Sequence, residues 1–104
     1  MAKYVMVVAS SAHPGRDDDY NEWYDTDHIH EILALPGVTS GRRFNAVPHS
    51  PNPVPGQYLA LYEVETDDIT TVLAEMGRRA AAGEMSMSDA LDRDSARMWF
   101  YEAR

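Results

Sequence analysis

The chain has 104 residues, no cysteine, and nine Lys+Arg against seventeen Asp+Glu, a net charge of −8. This length favours one compact domain over residues 1–104. The missing cysteine excludes disulfides, thiolate zinc sites, iron–sulfur clusters and a thiol nucleophile. An acidic chain without a basic stripe is a poor match for nucleic acid or for an anionic membrane surface. No apolar run approaches the ~20 residues of a membrane helix. The start, MAKYVMVVASSAHPG, reads as a first strand and not as a signal peptide, which points to the cytoplasm. With 44% hydrophobic and 25% charged residues, the chain is expected to fold as a soluble globule.

Lys3–Ala9 is rich in Val and Tyr and predicts a strand, punctuated by Ser10–Gly15. Asp17–Leu35 predicts a helix, with Asp17, Asp18 and Asp19 in the cap and first turn and Pro36-Gly37 as the stop. Val38–Val47 predicts a second strand. Pro48–Gly56 carries four prolines and can only be a stiff connection. Gln57–Val64 predicts a third strand. Thr66 is placed to cap a second helix, in which Ile69, Val72, Leu73, Met76 and Ala80 share one face and after which Gly83 is a natural stop. Glu84–Asp94 reads as a polar loop, with Met85 and Met87 placed to anchor it or to cover a pocket. Ala96–Glu102 predicts the last strand.

The order β-α-β-β-α-β is the split βαβ pattern. The expected fold is α+β and ferredoxin-like, a four-stranded antiparallel sheet with two helices on one face. Tyr58, Tyr62, Trp99 and Tyr101 alternate with Leu59, Leu61, Met98 and Phe100, so both faces of these strands are apolar. A homodimer with two sheets face to face would cover the second face.

Asp19–Leu35 (DYNEWYDTDHIHEILAL) carries the chemistry. At 100° per residue, Tyr20, Tyr24, His28, Ile32 and Leu35 fall in one sector of about 120°. Tyr24 and Asp25 lie four and three residues before His28, within side-chain reach. A carboxylate there fixes an imidazole tautomer, and an inward histidine near neutral pKa moves protons at pH 7. His30 points about 200° away from His28, so the two cannot chelate one ion from a regular helix. The H-E-x-x-H zinc motif and the EF-hand pattern are both absent. No metal and no cofactor are expected. Ser10, Ser11 and Ser40 lack a nucleophile-elbow setting, and no glycine-rich phosphate loop is present.

Arg42 and Arg43 are adjacent on a strand and face opposite ways. Arg42 and Phe44 are assigned to the ligand side, where an arginine would steady an enolate or carboxylate. Tyr62 and Trp99, with Tyr58, are candidates for an apolar ring-binding cavity. His13 and His49 fall in Pro/Gly loops without a partner motif.

The segment Tyr20-Asn-Glu-Trp23-Tyr24-Asp25-Thr-Asp27-His28-Ile29, then Leu33-Ala-Leu35-Pro36-Gly37-Val38 and Ser40-Gly-Arg42-Arg43-Phe44, resembles the EthD-like family of the dimeric α/β-barrel superfamily. The match is close over the first half of the chain and only in pattern over the second. The resemblance implies a dimer whose two sheets close into a barrel. It also implies a pocket between sheet and helices with His28, Tyr20 and Tyr24 on its wall. His30 stands where many relatives carry proline, so the helix is expected to run through without a kink. Shared fold does not choose among the chemistries this superfamily hosts.

The sequence thus points to a cofactor-free acid/base enzyme of isomerase, cyclase or dehydratase type, acting on a small apolar ring compound such as a lactone, phenol or enone. His28 would be acid or base, with Tyr24 donating a hydrogen bond and Asp25 orienting the imidazole. Tyr20, Ile32, Arg42, Phe44, Tyr62 and Trp99 would bind substrate. The alternatives are a non-catalytic binding or accessory protein of a catabolic oxygenase pathway and, third, haem or metal chemistry with His28 as ligand.

Overall fold

The computed structural model describes all 104 residues. Strand β1 (Ala2–Ala12) leads into a helical run made of α1 (Asp17–Trp23), a π-helical turn (Tyr24–His28) and α2 (Ile29–Leu33). Strands β2 (Val38–Asn45) and β3 (Tyr58–Thr66), helix α3 (Ile69–Ala81) and strand β4 (Leu91–Glu102) follow. The four strands form one antiparallel sheet in the order β2-β3-β1-β4, the ferredoxin-like arrangement. No helix is long and apolar enough to cross a membrane.

Two element boundaries differ from the periodicity. Strand β4 begins at Leu91, inside the stretch that composition marks as a loop. Its ladder with β1 shifts register between Ala9 and Ser11 and then resumes at Ser11–Asp92 and Ala12–Leu91. The Ser11 amide donates to Ser95 Oγ at 2.8 Å across this bulge. A bulge is held by backbone partners, so a polar residue such as Asp92 pairs beside it without apolar alternation. Helix α3 is capped by Asp68, whose carboxylate accepts the Thr70 amide at 3.0 Å. Thr66 instead accepts the Asp68 amide at 3.2 Å and shapes the approach to the helix.

The first helix is not regular, which corrects the expectation of an uninterrupted α-helix. At its centre the Ile29 amide bonds to the Tyr24 carbonyl, five residues back. The Thr26 hydroxyl donates to the Glu22 carbonyl at 2.6 Å, an i−4 side-chain bond of the kind that loosens a helical ladder. No proline is involved.

Strand pairing sorts the apolar residues by face. Met6 pairs with Tyr62 on β3 and with Phe100 on β4, so these three face the helices. Val7 pairs with Leu61 and with Trp99, which face the other way. The helix side buries Met6, Ala60, Tyr62 and Val64 against Tyr20, Tyr24, Ile32, Leu35 and Val72. Only 12 of 104 residues are buried, because the second face has no cover in a single chain. Phe44, Trp99 and Tyr101 on that face remain 42%, 37% and 63% exposed.

Gly41 on β2 is where the sheet backs directly onto this core. A Cβ there would meet two ring atoms of Tyr62 at 2.7 and 2.8 Å and the Leu33 side chain at 3.3 Å. The Tyr62 ring is fully buried and has little room to yield. Gly41→Ala should therefore cost about 1–3 kcal/mol through overpacking. A thermal melt should show it as a drop of roughly 4–8 °C per kcal/mol. An unchanged melting temperature would show that the ring is not confined.

Candidate functional site

Between the sheet and the helices lies a cavity of about 200 Å³, and ten of its twelve lining residues are apolar. Met6, Met76, Met85, Met87 and Met98 line it, five of the six methionines in the chain. They come from β1, α3, the 84–90 segment and β4, so only the fold brings them together. Unbranched thioethers fit irregular apolar guests and favour aromatic contacts. The polar groups at this wall are few: His28, Ser86 and the hydroxyls of Tyr24 and Tyr62. A wider groove of about 920 Å³ runs past His13, Trp23, Asp89, Asp92 and Asp94. Most of its charged side chains are open to solvent, and the smaller apolar cavity is the better candidate.

His28 sits at the end of the π turn. Its ring stacks on Trp23 at 4.6 Å with 18° between planes, and Tyr24 meets it edge-on at 4.8 Å. In a regular α-helix, residues five apart lie about 140° around the axis. The π winding removes that offset and allows the stack. Burial pushes the imidazole pKa down; the Glu31 carboxylate pulls it up, and burial prevails. The imidazole is therefore neutral at pH 7. Its Nδ1 lies 3.4 Å from Glu31 Oε1, so a proton on Nδ1 leaves Nε2 as the basic nitrogen.

Glu31 holds more than the histidine. It accepts the Ser86 amide on Oε2 at 2.7 Å and the Ser86 hydroxyl on Oε1 at 3.1 Å. Ser86 Oγ in turn accepts Trp23 Nε1–H at 3.0 Å. Across the cavity wall the Tyr24 and Tyr62 hydroxyls are 3.2 Å apart. Burial pushes both phenols up, Tyr62 to about 12 and Tyr24 further, so both keep their protons. One proton bridges the pair and the other is free to be donated.

The structure brings together four of the site residues expected from the sequence, Tyr24, His28, Ile32 and Tyr62, on one cavity, and Met85 and Met87 stand on its wall. It separates the rest. Asp25 does not reach His28; it accepts from Arg43 Nη1 at 2.8 Å. Arg43, not Arg42, is the helix-side arginine. It also donates to Asn21 at 2.8 Å and lies over the rings of Tyr24, Tyr20 and Tyr58 at 4.4, 5.4 and 5.6 Å. Tyr20 is buried behind the cavity, bonded to the Ser10 hydroxyl and stacked on Tyr58 at 5.0 Å. Arg42, Phe44 and Trp99 belong to the outer sheet face, where Arg42 lies 5.5 Å over the Phe44 ring. Strand pairing sets these sides, and adjacency alone could not. Ser86 was not singled out in the sequence, and Glu31 was not assigned to His28. The only signals were a carboxylate three residues after His28 and a serine between two methionines. No group of three or more His, Asp or Glu comes together as a metal site would require.

The half-buried imidazole has a consequence for stability. Unfolded, it takes a proton near its ordinary pKa of about 6.5; folded, it does so only at lower pH. Its contribution is therefore fully present above about pH 6.5 and is lost as pH falls toward the folded value. Urea melts between about pH 7 and 5 should show this loss in the wild type and a flatter profile in His28→Gln. Parallel profiles for the two proteins would contradict a half-buried, neutral His28.

No family model matches the chain, and no curated protein matches it. Solved structures do. An EthD family protein from Bacillus halodurans superposes with a TM-score of 0.65 at 14% identity, covering 100% of both chains. The haem degrader MhuD from Mycobacterium tuberculosis, with two haems bound in its active site, gives 0.67 at 15% identity, over 96% of this chain and 94% of its own. SnoaB, a cofactor-independent oxygenase from Streptomyces nogalater, gives 0.55 at 12% identity, over 98% and 93%. These likenesses support the EthD-like resemblance of residues 20–44 at the level of architecture: the chain has the ferredoxin-like α+β fold that these proteins share.

Proposed function

We propose that the chain binds a small, neutral, largely apolar ring compound in the methionine-lined cavity, and that His28 moves a proton on it. The observation that carries this reading is a half-buried, neutral imidazole opening on an apolar cavity beside a paired set of phenol hydroxyls. At about 200 Å³ the cavity exceeds the ~150 Å³ of an apolar cavity that takes benzene. No cation lines it, because the Arg43 guanidinium is engaged by Asp25 and Asn21. A carboxylate ligand would find no charge partner there; a phenol, enone or lactone would need none.

In this reading Nε2 takes a proton from a phenol O–H or from a C–H next to a carbonyl. The Nδ1–H bond to Glu31 steadies the imidazolium that forms. The free hydroxyl proton of the Tyr24–Tyr62 pair is donated to the oxygen where negative charge develops. Returning the proton to another carbon is isomerisation; losing water or closing a ring after abstraction is dehydration or cyclisation. Each step is within the reach of these side chains. At about 200 Å³ the cavity is smaller than the ~300–1,000 Å³ typical of drug-sized ligands, which favours a single small ring over a porphyrin.

The partly exposed Phe44, Trp99 and Tyr101 support a homodimer joined through the outer sheet faces. A single-chain mass by light scattering would contradict it.

The test is a thermal-shift series with p-cresol, 2-cyclohexenone and a butenolide, followed by turnover assays. A ligand at 100 times its dissociation constant adds about 2.7 kcal/mol. For a domain of this size that is roughly ten degrees or more. His28→Ala should fold and still respond to the ring compound, while turnover falls about 10²–10⁴-fold. Full turnover in that variant would remove His28 from the chemistry. Binding without turnover in the wild type would favour a carrier or accessory protein. No response to any ring compound would overturn the pocket itself.

A further inference from the structure

Glu31 and Ser86 form a connection that the proposed reaction does not by itself require. Ser86 belongs to the segment between α3 and β4, and Met85 and Met87 beside it supply part of the cavity wall. Its amide and its hydroxyl both donate to Glu31, one to each carboxylate oxygen. Its hydroxyl oxygen also accepts the indole N–H of Trp23. Glu31 is the carboxylate at His28 Nδ1, and Trp23 is the ring stacked on His28. One serine therefore grips both the charge partner and the stacking partner of the imidazole.

We propose that Ser86 and Glu31 act together as positioning residues for His28, so that docking of the 84–90 segment sets which imidazole nitrogen is free and how strongly it takes a proton. The inference rests on the reading of His28 as the proton-moving group. The Ser86 hydroxyl competes with His28 Nδ1–H for the same oxygen, Glu31 Oε1. While docked, it draws on that charge and helps keep water from the ring. Undocked, the carboxylate turns wholly to the imidazole and water enters; both changes favour the protonated ring. The charged groups acting on His28 are Glu31 from α2 and Arg43 from β2. Tyr24 on its own turn and Tyr62 from β3 are held protonated, and the cavity-lining residues of α3 and β4 carry no charge. Glu31 is thus the carboxylate through which the 84–90 segment reaches the imidazole.

The test needs no ligand, so its failure is separate from failure of the proposed activity. The His28 ring is titrated by NMR in the ligand-free full chain, its signal assigned by loss in His28→Gln. Ser86→Ala should raise the midpoint by about half a pH unit, a threefold gain in proton affinity. Ser86→Thr, which keeps the hydroxyl, should restore it. Glu31→Gln should move the midpoint the opposite way, downward, because the charge that favours the imidazolium is gone. At pH 7 the Nδ1–H tautomer seen in the ¹⁵N shifts should strengthen in Ser86→Ala, where the competing hydroxyl is gone, and weaken in Glu31→Gln. A serine that only pins a loop would leave midpoint and tautomer at wild-type values in a folded Ser86→Ala, and that result overturns the proposal. Should Ser86→Ala fail to fold, an unmoved midpoint in Glu31→Gln overturns it equally.

Discussion

A helix wound at 100° per residue would hold Trp23 and His28 about 140° apart. The π turn from Tyr24 to His28 places them face to face at 4.6 Å instead. Much of the site depends on that change of winding. It covers one face of the imidazole with indole and sets Tyr24 against its edge. It also leaves Glu31, on the regular turn that follows, at the Nδ1 side. The turn is held at its N-terminal end. Tyr20 and Tyr24 are buried against the sheet, and Arg43 spans from β2 to Asn21 and Asp25 on either side of the winding change. A π turn gives up ideal ladder geometry, so it persists where such packing over-determines it.

The site combines two tendencies that ordinarily oppose each other. Apolar lining is good for holding a ring compound and bad for holding charge. The imidazole accommodates this by staying neutral, and the phenols by keeping their protons. The one carboxylate near the ring sits at the edge of the cavity, satisfied by both donors of Ser86. Arg43, which would have been the natural anion partner, lies off the cavity wall, its two Nη groups held by Asp25 and Asn21 and its plane over three aromatic rings, with Nε left unpartnered. What remains facing the cavity is one base, one spare hydroxyl proton and a flexible thioether wall. In the proposed function, that set suits a neutral guest with one oxygen to address.

The order of elements was legible because the chain carries clear local signals: an apolar, strand-favouring run through Tyr58–Val64 and an apolar face from Ile69 to Ala80. The convergence of Tyr24, His28, Ile32 and Tyr62 was legible for the same reason. Faces were harder. Both sides of β3 and β4 carry large apolar groups, so period two separates Tyr62 from Leu61 without saying which meets the helices. The pairing of Met6 with Tyr62 and of Val7 with Trp99 decides it. The Arg42/Arg43 choice is the same ambiguity. Asp25 and Glu31 stand symmetrically three residues before and after His28, and a regular helix treats them alike. Arg43, eighteen residues on from Asp25, takes one of them and leaves the other to the histidine. The methionine wall draws on four separate parts of the chain, and no local pattern announces it.

The central claim is that a small ring compound sits among those methionines beside His28, and the methionine methyl groups report on it directly. With ¹³C-labelled methionine methyls the chain gives six signals, five from the cavity wall and one from Met1, which is 83% exposed and serves as an internal reference. Adding p-cresol should shift the five and give contacts from its ring to them and to the His28 ring, while Met1 stays in place. Shifts confined to the outer face around Phe44 and Trp99, with the five methyls unmoved, would contradict the account.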